Sequence, residues 1–274
     1  MRDRSSVPCR TANSSSRAMR LAAYAKINLT LEVLGTRPDG YHDLRSVVTT
    51  IPLHDDVELS DAPAGEVTVE MAGDGMEVPR VPPETNLAVR AARALAAAAS
   101  VSRGVCIRIV KRIPVGAGLG GGSADAAAVL NGLNELWGLK LSKERLCEIG
   151  AEVGSDVPAL VLGGTVLMEG RGERVTPLVR GARPTTGGSR SCATESELSR
   201  LVLRIPPINA STARVYAEFR PEDRGKFRND LQPAACSLYP IIAETIAEME
   251  AEGLEDVQMT GSGSAVFGWR KESR

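Results

Sequence analysis

The sequence predicts an α+β protein of two lobes, and three observations carry that expectation. Runs of short alternating strands are mixed with helix-period segments without strict strand-helix alternation. Residues 180–199, rich in Gly, Pro, Ser, Thr and Arg, have no period and read as a flexible linker or long surface loop, with the lobes joined near residues 163–199. The composition, 43% hydrophobic and 24% charged over 274 residues, is that of an ordinary globular chain long enough for one large domain or two smaller ones.

The same composition excludes several function classes. Lys and Arg total 33 against 34 Asp and Glu, and a net charge of -1 gives no broad positive field for nucleic acid. The five cysteines, Cys9, Cys106, Cys147, Cys192 and Cys236, show neither CxxC spacing nor a nearby histidine. They read as buried or incidental thiols in a reducing compartment. Two histidines, His42 and His54, exclude a three-histidine metal centre. No apolar run approaches the roughly 18 residues a membrane helix needs, so a soluble, cytoplasmic protein is expected.

The elements follow in order. Residues 1–20 are rich in Arg and Ser and lack a period. They resemble an import peptide in composition, but a disordered leader, or a start at Met19, is the reading adopted. Ile27, Leu29, Leu31 and Val33 alternate on one face of a half-buried strand. Residues 47–51, 56–59 and 67–70 are further strands, separated by the turn-rich 37–40 and 62–65. Residues 86–100 form a helix by their Ala, Leu and Arg content, and 105–110 form a strand. After Ser123, a natural N-cap, Ala126, Val129, Leu130, Leu133, Leu136 and Trp137 recur at helical spacing. Ser142 caps a third helix. An apolar segment covers 157–162, and strands cover 165–169 and 201–205. Helices are expected near 212–219 and as one long element over about 233–252.

The most informative feature is Pro114-Val115-Gly116-Ala117-Gly118-Leu119-Gly120-Gly121-Gly122-Ser123-Ala124-Asp125 between a strand and a helix. Its glycines permit positive φ, so that backbone N–H groups can converge on an anion beside a helix start. A tight turn is the plainer alternative, but it needs only one or two glycines. No Gly-Lys-Ser/Thr closes the loop, which excludes Walker A. Gly116, Gly118 and Gly121 satisfy GxGxxG, yet the preceding strand alternates and has no clear βαβ partner, so a dinucleotide fold is disfavoured.

This loop looks like the ATP-phosphate motif of the GHMP kinases. Ala25-Lys26-Ile27-Asn28-Leu29, Arg37-Pro38-Asp39-Gly40-Tyr41-His42 and Gly154-Ser155-Asp156-Val157-Pro158 are similar to the branch acting on 4-diphosphocytidyl-2-C-methyl-D-erythritol, and Met259-Thr260-Gly261-Ser262-Gly263-Ser264 matches the third superfamily motif. The resemblance covers residues 21–268 except 180–199. It implies an N-terminal ribosomal protein S5 domain 2-like lobe that binds ATP, residues 21–170, and a linker, 171–200. It also implies a ferredoxin-like α/β sandwich lobe, 201–274. The implied activity is ATP-dependent phosphorylation of the substrate's 2-hydroxyl in the non-mevalonate isoprenoid pathway, with Mg2+ accompanying ATP and no protein metal-ligand cluster.

The resemblance further implies that Asp156 takes the hydroxyl proton and Lys26 is its electrostatic partner. It assigns Asn28, Tyr41, His42, Thr212 and Tyr216 to the substrate, with the two tyrosines on opposite faces of the cytosine and His42 on its edge. Pro114, Gly116, Ala117, Gly118, Leu119, Gly120, Gly121, Gly122, Ser123 and Ala124 fall to the nucleotide, with Asn86 and Lys111 as secondary contacts. From residue type alone Asp156 and Asn86 are equally good helix caps, Lys26 and Lys111 solvated strand residues, and Tyr216 a packing residue. Asn229 and Asp230 have a structural role. The partner is a small molecule, with neither nucleic acid nor membrane involved and a monomer or homodimer expected. Two features depart from the family pattern: the long polar stretch 180–199, and a chain stopping six residues after Gly268, which reads as truncated. The rival readings are another GHMP kinase, acting on homoserine or mevalonate, and a nucleotide-binding protein without catalysis.

Overall fold

The computed structural model describes residues 18–38, 40–79, 81–178 and 195–272. Most of the expected leader, Asp39 of the expected turn and residues 179–194 of the expected linker lie outside them. Nine strands, eight α-helices and one 3₁₀ turn are found among the described residues. In chain order they are β1 (Ala18–Thr36), β2 (His42–Ala62), β3 (Val67–Gly73), α1 (Leu87–Ala98), β4 (Gly104–Lys111), α2 (Gly121–Leu136), α3 (Lys143–Val153), α4 (Val157–Leu162), β5 (Thr165–Gly170), β6 (Arg174–Pro177), α5 (Glu195–Leu198), β7 (Leu201–Arg204), α6 (Thr212–Glu218), the 3₁₀ turn Pro221–Asp223, α7 (Gln232–Leu238), α8 (Pro240–Ala251), β8 (Glu255–Met259) and β9 (Val266–Trp269). An α+β class is therefore correct.

Several boundaries differ from those expected. β1 begins at Ala18, inside the expected leader, and Ala25 to Leu29 are buried on both faces instead of one. The two strands expected over 47–59 are one 21-residue strand, β2. It pairs with β1 as well as with β5 over Leu44 to Thr49 and with β4 over Asp56 to Ala62, and Pro52, which has no N–H to give, falls between the β5 and β4 ladders. The single helix expected over 233–252 is two. Pro240 disfavours helical geometry in the residue before it, and Tyr239 takes φ -137 and ψ 80. α2 starts at Gly121, so Ser123 lies inside its first turn and is not its N-cap. The tail of the expected linker is α5, and β6 is a short, largely exposed strand without an apolar alternation to announce it.

The chain forms two compact units. One comprises Met1–Ala25, Leu53–Pro114 and Gly121–Leu162, and the other Lys26–Pro52, Val115–Gly120 and Gly163–Arg274. β1 and β2 each begin in one unit and end in the other, which no local composition reports.

In the first unit β4 runs antiparallel to the end of β2, with Leu59 opposite Ile107, and parallel to β3, with Val69 opposite Ile107. Leu59, Ile107 and Ile109 pack in a core with Val89 and Leu95 of α1, Val129, Leu130 and Leu133 of α2, Leu146 and Ile149 of α3 and Val157 of α4. α3 is capped by Ser142 as expected, its side chain accepting from Arg145 N–H. In the second unit the start of β2 pairs with β5 and β5 with β6, while β7, β9 and β8 form an antiparallel sheet in that order. Leu31 and Val33 of β1 share a core with Val215, Leu231, Ile242, Met249, Met259 and Val266. Cys147 and Cys236 are free thiols. No described helix is long and apolar enough to cross a membrane.

Candidate active site

In the second unit three of the sequence motifs meet. Lys26 is only 3% exposed and Asn28 1%, although both are polar residues of a strand. Such burial demands partners. Lys26 Nζ donates to Asn28 Oδ1 at 2.7 Å, Asn28 Nδ2 donates to Ser46 Oγ at 2.8 Å, and the Asn28 backbone N–H donates to Thr260 Oγ1 at 2.9 Å. The Lys26 N–H donates to the carbonyl of Leu119 in the glycine loop, and the Ala265 N–H to that of Ala117. β1 and the β8–β9 turn thus hold the middle of the loop, at Leu119 and Ala117.

Gly116, Gly118 and Gly120 all have φ between 72° and 76°, the left-handed region that side chains avoid. At Gly118 space forbids a side chain as well: a Cβ there would lie 2.7 Å from the Thr260 carbonyl oxygen and 2.9 Å from that of Gly263. The loop runs without interruption into α2 at Gly121, so its backbone has the conformation and the following helix start that suit a phosphate.

A ring cluster lies elsewhere in the same unit. His42, at the start of β2, has its ring centroid 4.9 Å from that of Tyr216 on α6 and 6.5 Å, edge-on, from that of Phe219. Burial lowers the His42 pKa, so the imidazole is neutral at pH 7, with one donor and one acceptor nitrogen. Tyr41 is 56% exposed, and the Arg171 guanidinium sits over its ring, 5.1 Å from the centroid. Tyr216 therefore packs on His42 in this structure. Thr212 Oγ1 lies 2.8 Å from Ser262 Oγ, joining α6 to the β8–β9 turn.

The first unit holds the remaining candidates. Asp156 is half-buried in the turn between Gly154 and α4, and its carbonyl accepts from the Leu160 N–H. Asn86 caps α1, its Oδ1 accepting from the Ala88 N–H at 2.9 Å, so its carbonyl oxygen is already engaged. Lys111 is 2% exposed, and its Nζ donates to both Asp55 and Asp125, the latter at 2.7 Å. Expected as a nucleotide contact, it is the centre of a buried ion cluster. A Cβ on Gly121 would lie 3.4 Å from that ammonium, which places the cluster beneath the start of α2. Desolvation raises the Asp125 pKa to about 7, with the Lys111 charge opposing the rise and that of Asp55 adding to it. Its Oδ1 has no hydrogen-bond partner.

Asp55, Asp125, Ser46 and Arg171 are residues that the sequence reading did not single out. Asp55 and Lys111 are 56 positions apart, and nothing local marks them as partners. Asp125 was within sight, as the acid closing the glycine loop. Among the described residues no group of three or more His, Cys, Asp or Glu is arranged to hold a metal ion.

Residues 86–164 match the GHMP kinases N terminal domain and residues 213–274 the GHMP kinases C terminal domain. The chain is 42% identical over 253 residues to the 4-diphosphocytidyl-2-C-methyl-D-erythritol kinase of Bacillus velezensis, covering 90% of this chain and 86% of that protein. It is 41% identical to the enzyme of the same name from Pelotomaculum thermopropionicum, with 90% and 87% covered. The crystal structure of a 4-(cytidine 5'-diphospho)-2C-methyl-D-erythritol kinase superposes with a TM-score of 0.70 at 34% identity, covering 92% of this chain and 90% of that one. The homoserine kinase of Cytophaga hutchinsonii shares the fold, with a TM-score of 0.66 at 15% identity over 94% of this chain and 87% of that one.

Proposed function

The chain belongs to the GHMP kinases and, among them, to the 4-diphosphocytidyl-2-C-methyl-D-erythritol kinases; on that premise we propose that it transfers the γ-phosphoryl group of ATP to the 2-hydroxyl of that sugar alcohol, in the non-mevalonate route to isoprenoids. The observation that carries the reading is the buried Lys26–Asn28–Thr260 network anchored to the glycine loop. A buried ammonium held against a conformationally fixed loop is what phosphoryl transfer needs and what a mere turn does not.

In this reading Pro114, Gly116, Ala117, Gly118, Leu119, Gly120, Gly121, Gly122, Ser123 and Ala124 present main-chain N–H groups and the helix start to the phosphates of ATP. Ser123 Oγ would be a side-chain oxygen of that stretch able to hold a magnesium ion bound with the nucleotide, and the ion would offset phosphate charge. Asp156 accepts the proton of the attacking hydroxyl. Lys26 offsets the charge that spreads over the transferring group, and Asn28, already oriented by Ser46 and Thr260, positions the acceptor. Tyr41 offers a face to the cytosine, while neutral His42 can meet both a donor and an acceptor on the base edge, with Thr212 and Tyr216 completing that wall. Asn86 acts by fixing the start of α1, and Lys111 by holding the base of α2.

Single-turnover transfer from ATP to the cytidine substrate tests the assignment. The parent chain should turn over, and Asp156→Asn and Lys26→Met should each lose about 100-fold or more in the chemical step. Cytidine 5'-diphosphate should compete with the acceptor substrate, and homoserine and mevalonate should be left unphosphorylated. Equal rates in parent and Asp156→Asn would remove Asp156 as the base, and no transfer by the parent would leave a nucleotide-binding protein.

A further inference from the structure

The turn joining β5 to β6 carries a cation that the reaction described so far leaves unused. The turn is fixed: Gly172 N–H donates to the Glu169 carbonyl at 3.2 Å, and Glu173 Oε2 accepts from the Arg171 backbone N–H at 2.6 Å. The Glu173 carboxylate is thereby turned to the Arg171 main chain. Three other arginines have a carboxylate for their guanidinium: Arg37 pairs with Asp43 at 2.9 Å, Arg45 with Glu169 at 3.4 Å and Arg174 with Glu173 at 4.0 Å. Arg171 makes no ion pair among the described residues, and its half-buried guanidinium lies over the Tyr41 ring.

A guanidinium that stacks on an exposed aromatic ring and lacks a counter-ion has its planar face used and its N–H edge available. That edge is the part which takes two oxygens of a phosphate at once. Resting on the reading of Tyr41 as the cytosine platform, the geometry points to Arg171 as the residue that binds the diphosphate of the cytidine diphosphate sugar alcohol. A base lying on Tyr41 brings its own diphosphate within one nucleotide's length of this charge. Tyr41 and His42 then recognise cytidine, and Arg171 distinguishes the diphosphate ester from the free nucleoside.

The test is calorimetric titration of the full chain and its Arg171→Met, Arg171→Lys and Tyr41→Ala variants with cytidine 5'-diphosphate and with cytidine, each at low and at high salt. Arg171→Met should weaken cytidine 5'-diphosphate about 10-fold and cytidine less than about 2-fold, with the diphosphate difference shrinking at high salt. Arg171→Lys should recover part of the loss, since it keeps the charge and gives up the fork. In turnover the effect should appear in the KM of the sugar alcohol and not in the KM of ATP. Equal losses for cytidine and cytidine 5'-diphosphate would make Arg171 a support for the Tyr41 ring alone, and an unchanged diphosphate affinity would remove it from the site; either overturns the inference while leaving the kinase reading intact. Tyr41→Ala binding cytidine as the parent does would withdraw the cytosine platform, and the Arg171 assignment with it.

Discussion

Asp125 is the residue whose chemistry departs furthest from its type. It shares the Lys111 ammonium with Asp55, is closed off from water, and titrates near pH 7 in the folded protein, where an unfolded chain would ionise it near pH 4. The folded-state value is the higher one, so the group's contribution to stability is fully present below about pH 4 and is lost as pH rises to about 7. Asp125→Asn keeps the shape and cannot ionise. Its stability relative to the parent should therefore rise with pH, by up to about 1 kcal/mol per unit between pH 5 and 7, and level off above pH 8. Urea denaturation at four pH values reads the difference, and a difference independent of pH would show that Asp125 is ionised throughout. Lys111→Met goes the other way: it leaves two buried carboxylates without their cation and should cost about 3–5 kcal/mol. The sequence could not show this cluster, because a lysine closing a strand and acids 14 and 56 residues away look like solvated charges. Lys26 and Asp156 were equally unremarkable by type and were singled out only through the family resemblance.

At the scale of elements, the glycine loop was legible because its information is local: residues that alone tolerate positive φ stand between a strand and a helix. What sequence did not supply is why Gly118 cannot change. Its Cα faces the carbonyls of Thr260 and Gly263 across the β8–β9 turn, a partner more than 140 positions away. Gly118→Ala should therefore displace that turn along with the loop and weaken ATP binding at least about 10-fold, with a lower Tm, because both the φ of +76° and the close approach are violated. Nucleotide titration of the variant checks this, and parental affinity would mean that the loop yields without cost. The capping of α1 gives a milder case: Asn86→Ala should cost about 1 kcal/mol, and Asn86→Ser less. Strand and helix types were mostly read correctly where the apolar period was clear. Two of the errors fell at prolines: Pro52 did not divide β2, in which it lies between the β5 and β4 ladders, and Pro240 did divide the last long helix, because it disfavours helical geometry in the residue before it.

At the scale of the whole molecule, hydrogen bonds tie β1 to segments far along the chain. Leu31 of β1 donates to the Arg228 carbonyl and accepts from the Asp230 N–H, Gln258 donates to the Leu29 carbonyl, and Val33 donates to the Asp230 carboxylate. Asn229 and Asp230 have the structural role expected of them, with Asn229 Nδ2 donating to the carbonyls of Met259 and Gly261. These bonds make β1 part of the core that contains Met259 and Val266, about 200 residues from its own place in the chain. A fragment of residues 195–274 lacks Leu31 and Val33 from that core and leaves the buried carboxylate of Asp230 without one of its donors. Such a fragment should not unfold cooperatively, and adding residues 18–52 in trans should restore at least part of a sigmoidal urea transition. A cooperative transition for 195–274 alone would show that the carboxyl-terminal segment is an independent folding unit, and that the interleaving of the chain is not required for it.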